Sequence, residues 1–160
     1  CLPVYSCTSR KNLNLICSKQ KQAVRIICNA KYNAHTQPLF FKLNILPLDD
    51  LILHQKMIFM FFYDRNVLPI SFQDYFLRNS DRGLNPGLRN VFDYFVPRVR
   101  SDYLRRFPFV SFPSAWNNFP VEIKQSESIK TFKSDSKAYL IDKLQGFSCE
   151  RLLCPCCLNS

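Results

Sequence analysis

Phe107 to Ile123, FPFVSFPSAWNNFPVEI, holds the only tryptophan of the chain and three of its ten prolines. Phe107, Phe109 and Phe112 are spaced for one face of an extended segment. Ser114 stands between Pro113 and Ala115-Trp116, where a helix cap is wanted. The stretch therefore predicts a strand that turns into one short helical turn, which Pro120 ends. An indole set between two prolines reads as a wedge that fixes how neighbouring elements pack. The competing reading is a rigid platform for stacking a nucleobase. No basic residue lies between Arg106 and Lys124 to hold the phosphate beside it.

Outward from this stretch, Val91–Val99 and Arg106–Phe112 read as two β segments of a small hairpin, joined through the Arg-rich RVRSDYLRR. The remaining patterns are helical. Leu13, Ile16, Cys17, Ala23, Val24, Ile27 and Cys28 recur at three-and-four spacing over Leu13–Ala30, with Lys19, Lys21 and Arg25 falling mostly elsewhere. Thr36 is placed to cap a short helix with Pro38 near its first position, running to Leu46 before Pro47 breaks it. Asp49 and Asp50 suit the positive end of the next helix, which continues to about Asp64 and is apolar on most sides, as a central core helix is. Leu68, Pro69, Phe72, Tyr75 and Phe76 predict a further helical turn packed on it. Asn79–Asn90, NSDRGLNPGLRN, is the longest loop. Ser126 or Ser128 caps a last helix with Ile129, Phe132, Tyr139, Leu140 and Leu144 on its stripe, slipping once near Ser136 and stopping at Gly146.

The expected architecture is thus mainly α: a single helical domain with a small β-hairpin before the Trp116 turn. It spans residues 13–145, with an N-terminal edge at 1–12 and a Cys-rich tail at 146–160, and Trp116, Pro120 and Phe132 are its structural anchors. A chain of 160 residues can bury roughly two thirds of its unfolded surface. A hydrophobic fraction of 47% with fifteen Phe argues against disorder, and three Gly are too few for the turns of an all-β fold.

The net charge of +10 is uneven. The first 31 residues carry Arg10, Lys11, Lys19, Lys21, Arg25 and Lys31 and no acid, and Arg89–Arg106 sets five Arg against two Asp. Such a field favours polyanions, above all nucleic acid. The candidate contacts to an RNA or DNA backbone are Lys19, Lys21, Arg25, Lys31, Arg98, Arg100, Arg105 and Arg106. The plainer alternative is a basic surface that serves solubility.

Nothing points to catalysis. Asp49-Asp50 invites comparison with paired metal-binding aspartates, but it follows Pro47 at a helix start, where carboxylates serve the dipole. Cys149, Cys154, Cys156 and Cys157 are separated by four, one and no residues, which only half fits the pairs a tetrahedral zinc needs, so no metal and no cofactor are expected. His35 and His54 have no ligand-like spacing, and no nucleophile has a recognisable base. Leu51–Tyr63 is too short and too interrupted to cross a membrane. Without a leader segment, the eight cysteines read as reduced thiols of an intracellular protein. Cys1 opens in mid-flow, as a fragment would.

Several stretches in order resemble the region C-terminal to the polymerase core of LINE-type, non-LTR, jockey-like retrotransposon reverse transcriptases. They are KQKQAVRIICNA at Lys19–Ala30, YNAHTQPLFFKLNILPL at Tyr32–Leu48, Leu68-Pro69 with Phe72, Arg89 followed by Val96–Arg100, Ala115–Pro120 (like W-N-x-L-P), and Ile129–Leu140 with Phe132-Lys133. The resemblance covers residues 13 to 145. It implies a thumb end and helical extension of an RNA-directed DNA polymerase that copies its RNA onto a nicked chromosomal primer. The family's Tyr-x-Asp-Asp turn, fingers and palm are absent, so no catalytic residue carries over and no activity is expected of this chain alone. Lys19, Lys21 and Arg25 match positions where a thumb faces template and primer. The resemblance further implies a nuclear location and the missing polymerase domains as partners. The alternatives are a structural or protein-interaction module and a non-functional relic.

Overall fold

The computed structural model describes residues 2–82 and 93–145. They form α1 (Leu2–Tyr5), α2 (Arg10–Ile27), α3 (Gln37–Lys42), α4 (Leu48–Asp64), α5 (Asp102–Arg106), α6 (Pro108–Asn117), α7 (Val121–Lys124) and α8 (Ile129–Gln145), with 3-10 turns at Ile70–Phe72 and Ser80–Arg82. The fold is mainly helical, as the patterns predict. Among the described residues no helix is long and apolar enough to cross a membrane.

α4 is the central element, packed against α6 and α8 and touched by α1 and α2. Its Met57 and Met60 are fully buried, and Phe61, Tyr63, Phe112, Trp116, Phe119 and Phe132 close around them. Phe61 and Phe132 stack at 4.3 Å, and Trp116 lies 6.1 Å from Phe132. Phe132, Ser136, Leu140 and Leu144 form one unbroken stripe of α8 at spacing four. The expected slip at Ser136 is instead a buried hydroxyl that donates to the Phe132 carbonyl at 2.6 Å. Of the two candidate caps for α8, Ser128 serves, its Oγ accepting from the Thr131 N–H at 3.1 Å.

The hairpin is not formed. Arg106–Phe112 belongs to the end of α5 and the start of α6, Val91 and Phe92 lie outside the described residues, and the one bridge there pairs Arg78 with Tyr94. The alternation of Phe107 and Phe109 misleads because Phe109, Phe112, Pro113 and Trp116 also have helical spacing. Pro108 occupies the first turn of α6, where a missing N–H costs nothing. Pro113 sits inside the helix, where it removes a hydrogen bond at a cost of up to about 3 kcal/mol, offset by complete burial of its ring. Ser114 is therefore a mid-helix residue and no cap.

The WNNFP run does several jobs. Trp116 and Phe119 enter the core. Asn117 brackets Tyr94, accepting from its N–H at 3.1 Å and donating to its carbonyl at 2.7 Å. Asn118 Nδ2 donates to the Ser114 carbonyl at 2.7 Å, and Pro120 occupies the N-cap position of α7.

Scarce glycine is replaced by asparagine. Asn29, Asn44 and Asn66 have φ of 51°, 54° and 54° just past α2, α3 and α4. In each case the following N–H returns to a carbonyl five residues back: Ala30 to Arg25, Ile45 to Phe40, Val67 to Phe62. This explains why α3 ends at Lys42 rather than at Leu46. Thr36 occupies its N-cap position without a side-chain cap bond.

Candidate nucleic-acid interface

Ser9 opens α2 by accepting from the Asn12 N–H, and the helix then runs for 18 residues without an acid. Its inward stripe is Leu13, Cys17, Gln20, Val24 and Cys28, at spacings of four and three. Ile16, Ala23 and Ile27, expected on this face, are exposed: α2 is turned by about one residue from the expected orientation. The cause is Gln20, whose Nε2 donates to the Leu46 carbonyl at 2.9 Å and whose Oε1 accepts from the Leu48 N–H at 2.8 Å.

The turn places the basic residues in separate surroundings. Lys19 and Lys31 are exposed. Arg25 is half-buried, with Nε donating to the Ala34 carbonyl at 2.9 Å, so it ties down the turn after α2. Together with Ser18, Gln22, Ile26, Ala30 and Tyr32 it lines a surface hollow of about 430 Å³. Tyr32 is 89% exposed. Lys21 instead lines a groove of about 410 Å³ with His35, Asp49, Asp50 and Lys143, where its charge is opposed. Burial in that groove, aided by Asp49 and opposed by Lys143, raises the Asp50 carboxyl above its ordinary range.

The second set is also divided. Arg98 and Arg100 are exposed in the segment before α5. Arg105 pairs with Asp102 at 3.3 Å and lines a hollow of about 470 Å³ with Val96, Pro97, Val99 and Val110. Arg106 turns into a different pocket, of about 230 Å³, lined also by Arg10, Asp49 and Lys56.

Asp49 accepts two hydrogen bonds from Arg10, at 2.8 and 2.9 Å, and so ties the start of α2 to the start of α4. Among the described residues no three His, Cys, Asp or Glu side chains are grouped to hold a metal ion, and the Cys149–Cys157 tail lies outside them. Trp116 is 6% exposed, with Lys124 Nζ 5.6 Å over its ring, which leaves no face for a base. Tyr32 is the most exposed aromatic among the described residues, and the sequence shows it only as one tyrosine in a polar turn. Lys56 was missed too, and its signal was the single lysine in the apolar run of α4.

No protein-family model matches the chain, and neither the curated proteins nor the solved structures hold a match to it.

Proposed function

We propose that this chain binds single-stranded nucleic acid without sequence preference, through α2 and the turn that follows it. The observation that carries the reading is the exposed Tyr32 in one hollow with Arg25, at the end of a helix without acids, with Lys19 on that helix and Lys31 in the turn both exposed. A base can stack on the tyrosine while the cations neutralise adjacent phosphates, the pairing that sequence-tolerant single-strand sites use. The resemblance to the C-terminal region of LINE-type reverse transcriptases supports the same reading. On that origin the chain is non-catalytic by itself, intracellular and nuclear. Arg98 and Arg100 are further exposed cations, whereas Lys21, Arg105 and Arg106 line other pockets.

The second reading, an interaction module that the missing polymerase domains cover, is favoured by Leu15, Ile16, Ile26 and Ile27, four large apolar side chains exposed on the same helix. Fluorescence anisotropy with a labelled single strand separates the two. Nucleic-acid binding requires that Tyr32→Ala weaken affinity while Ile16→Ser does not. Loss of neither, with wild-type affinity no greater than that of an unrelated protein of equal charge, favours the interaction module.

A further inference from the structure

The pocket of about 230 Å³ between the start of α2, α4 and the α5–α6 junction holds more positive charge than the fold uses. Its charged lining is Arg10, Lys56 and Arg106 against Asp49. Asp49 is already taken by both arms of the Arg10 guanidinium. The ion pairs among the described residues are Arg10–Asp49, Arg78–Asp64 and Arg105–Asp102, so neither Lys56 nor Arg106 has a carboxylate. Arg106 Nε is buried with no hydrogen-bond partner. The Lys56 ammonium has the Phe112 ring, 5.7 Å away. Cys7 is nearby, but its Sγ donates to the Arg106 carbonyl at 3.4 Å. Partly buried cations in folded proteins are as a rule paired, and Lys56 and Arg106 share this pocket without a carboxylate of their own.

We infer that this pocket is a binding site for a phosphomonoester group, held by Lys56 and Arg106 with Arg10 at its edge. The charge count selects the ligand: two cations in excess match the near −2 of a phosphomonoester better than the single charge of a carboxylate or a backbone phosphodiester. The shape agrees, because a guanidinium fork fits phosphate and the ammonium adds a compact point charge. The volume is several times the roughly 30 Å³ share of a water molecule, which leaves room for a tetrahedral oxyanion and its hydration. Burial also holds Lys56 below its ordinary value, a shift that an anion in the pocket reverses. The site is separate from the Tyr32 hollow and does not depend on the nucleic-acid reading.

The group can be that of free phosphate and small phosphate esters, or the terminal phosphate of a strand. The test titrates the full chain with inorganic phosphate at constant ionic strength, by calorimetry, alongside 5′-phosphorylated and 5′-hydroxyl forms of one oligonucleotide. Wild-type protein should bind one phosphate saturably and show a higher melting temperature in phosphate than in chloride. Lys56→Met and Arg106→Gln should each weaken phosphate at least tenfold, Lys56→Arg less than about threefold, and Lys130→Gln not at all. A preference for the 5′-phosphorylated strand that Lys56→Met abolishes assigns the strand end. Equal binding of both strands, with phosphate binding intact, assigns the small ester. Absence of saturable phosphate binding by the wild type, or equal binding by Lys56→Met, overturns the site. Should Lys56→Met and Arg106→Gln fail to fold, a phosphate affinity unchanged by Arg10→Gln and a melting temperature equal in phosphate and chloride overturn it as well.

Discussion

Gln20 supplies the N-terminal cap of α4 from another helix: its Oε1 accepts from the Leu48 N–H at 2.8 Å. Pro47, at the cap position, has no side chain able to do so. The same amide donates to the Leu46 carbonyl, so one side chain fixes the bend between α3 and α4 and the rotation of α2. Gln20→Ala should lower stability by about 1 to 3 kcal/mol, because two partly buried backbone groups lose their partner. Urea midpoints check this, and an unchanged midpoint would remove Gln20 as the cause of the rotation.

Trp116→Ala should cost about 3 to 5 kcal/mol, enough to unfold a marginal domain. Its indole packs beside Phe132 in the cluster that closes on Met57 and Met60. A variant that kept its thermal stability but lost affinity for single-stranded RNA would restore the stacking role to Trp116 and take it from Tyr32.

Most of the helices are legible in the sequence because their signals are local. Asp49 and Asp50 start α4, Ser128 starts α8, and the spacing of Phe132, Leu140 and Leu144 orients it. The failures have a common cause, since each was decided by a partner distant in the chain. Phe107 to Phe112 has a pattern compatible with both a strand and a helix, and packing on α4 decides for the helix. The orientation of α2 depends on Gln20 finding the α3–α4 bend. The two basic clusters are visible as composition, but which cations share a hollow is not: Arg106 meets Arg10 and Lys56, distant in sequence, and Lys21 meets Asp49 and Asp50.

Asparagine at left-handed positions gives a third expectation. Asn29→Ala, Asn44→Ala and Asn66→Ala should each destabilise by about 1 kcal/mol, since a Cβ without a compensating side-chain bond disfavours positive φ. The glycine variants should match or exceed wild type. Equal melting temperatures for the alanine and glycine variants would contradict the role of these residues as helix stops.

His54 makes stability pH-dependent. Burial lowers its pKa from the ordinary 6.5, the Lys137 and Lys133 charges add to this, and the hydrogen bond to the Lys133 carbonyl, at 3.2 Å, opposes it. The folded chain therefore binds this proton less readily than the unfolded chain. Its contribution is fully present above pH 6.5 and is lost as pH falls from there through the folded value. Asp50, whose pKa is raised, acts in the opposite sense at lower pH, so the informative quantity is the difference between wild type and His54→Gln. That difference should shrink on acidification below pH 6.5, and a difference constant from pH 8 to pH 5 would show that His54 does not titrate with unfolding.

The salt dependence of single-strand binding tests the functional account most directly. Contacts to phosphate by Lys19, Arg25, Lys31 and one of Arg98 or Arg100 should release counterions, giving a log–log slope near about −3 at roughly −0.7 per phosphate. Lys19→Glu with Lys31→Glu should weaken all sequences alike and flatten that slope, while Lys130→Glu with Lys133→Glu on α8 leaves it nearly unchanged. Equal losses and equal slopes from the two pairs of reversals would contradict the account, since net charge alone, and no site on α2, would then explain binding.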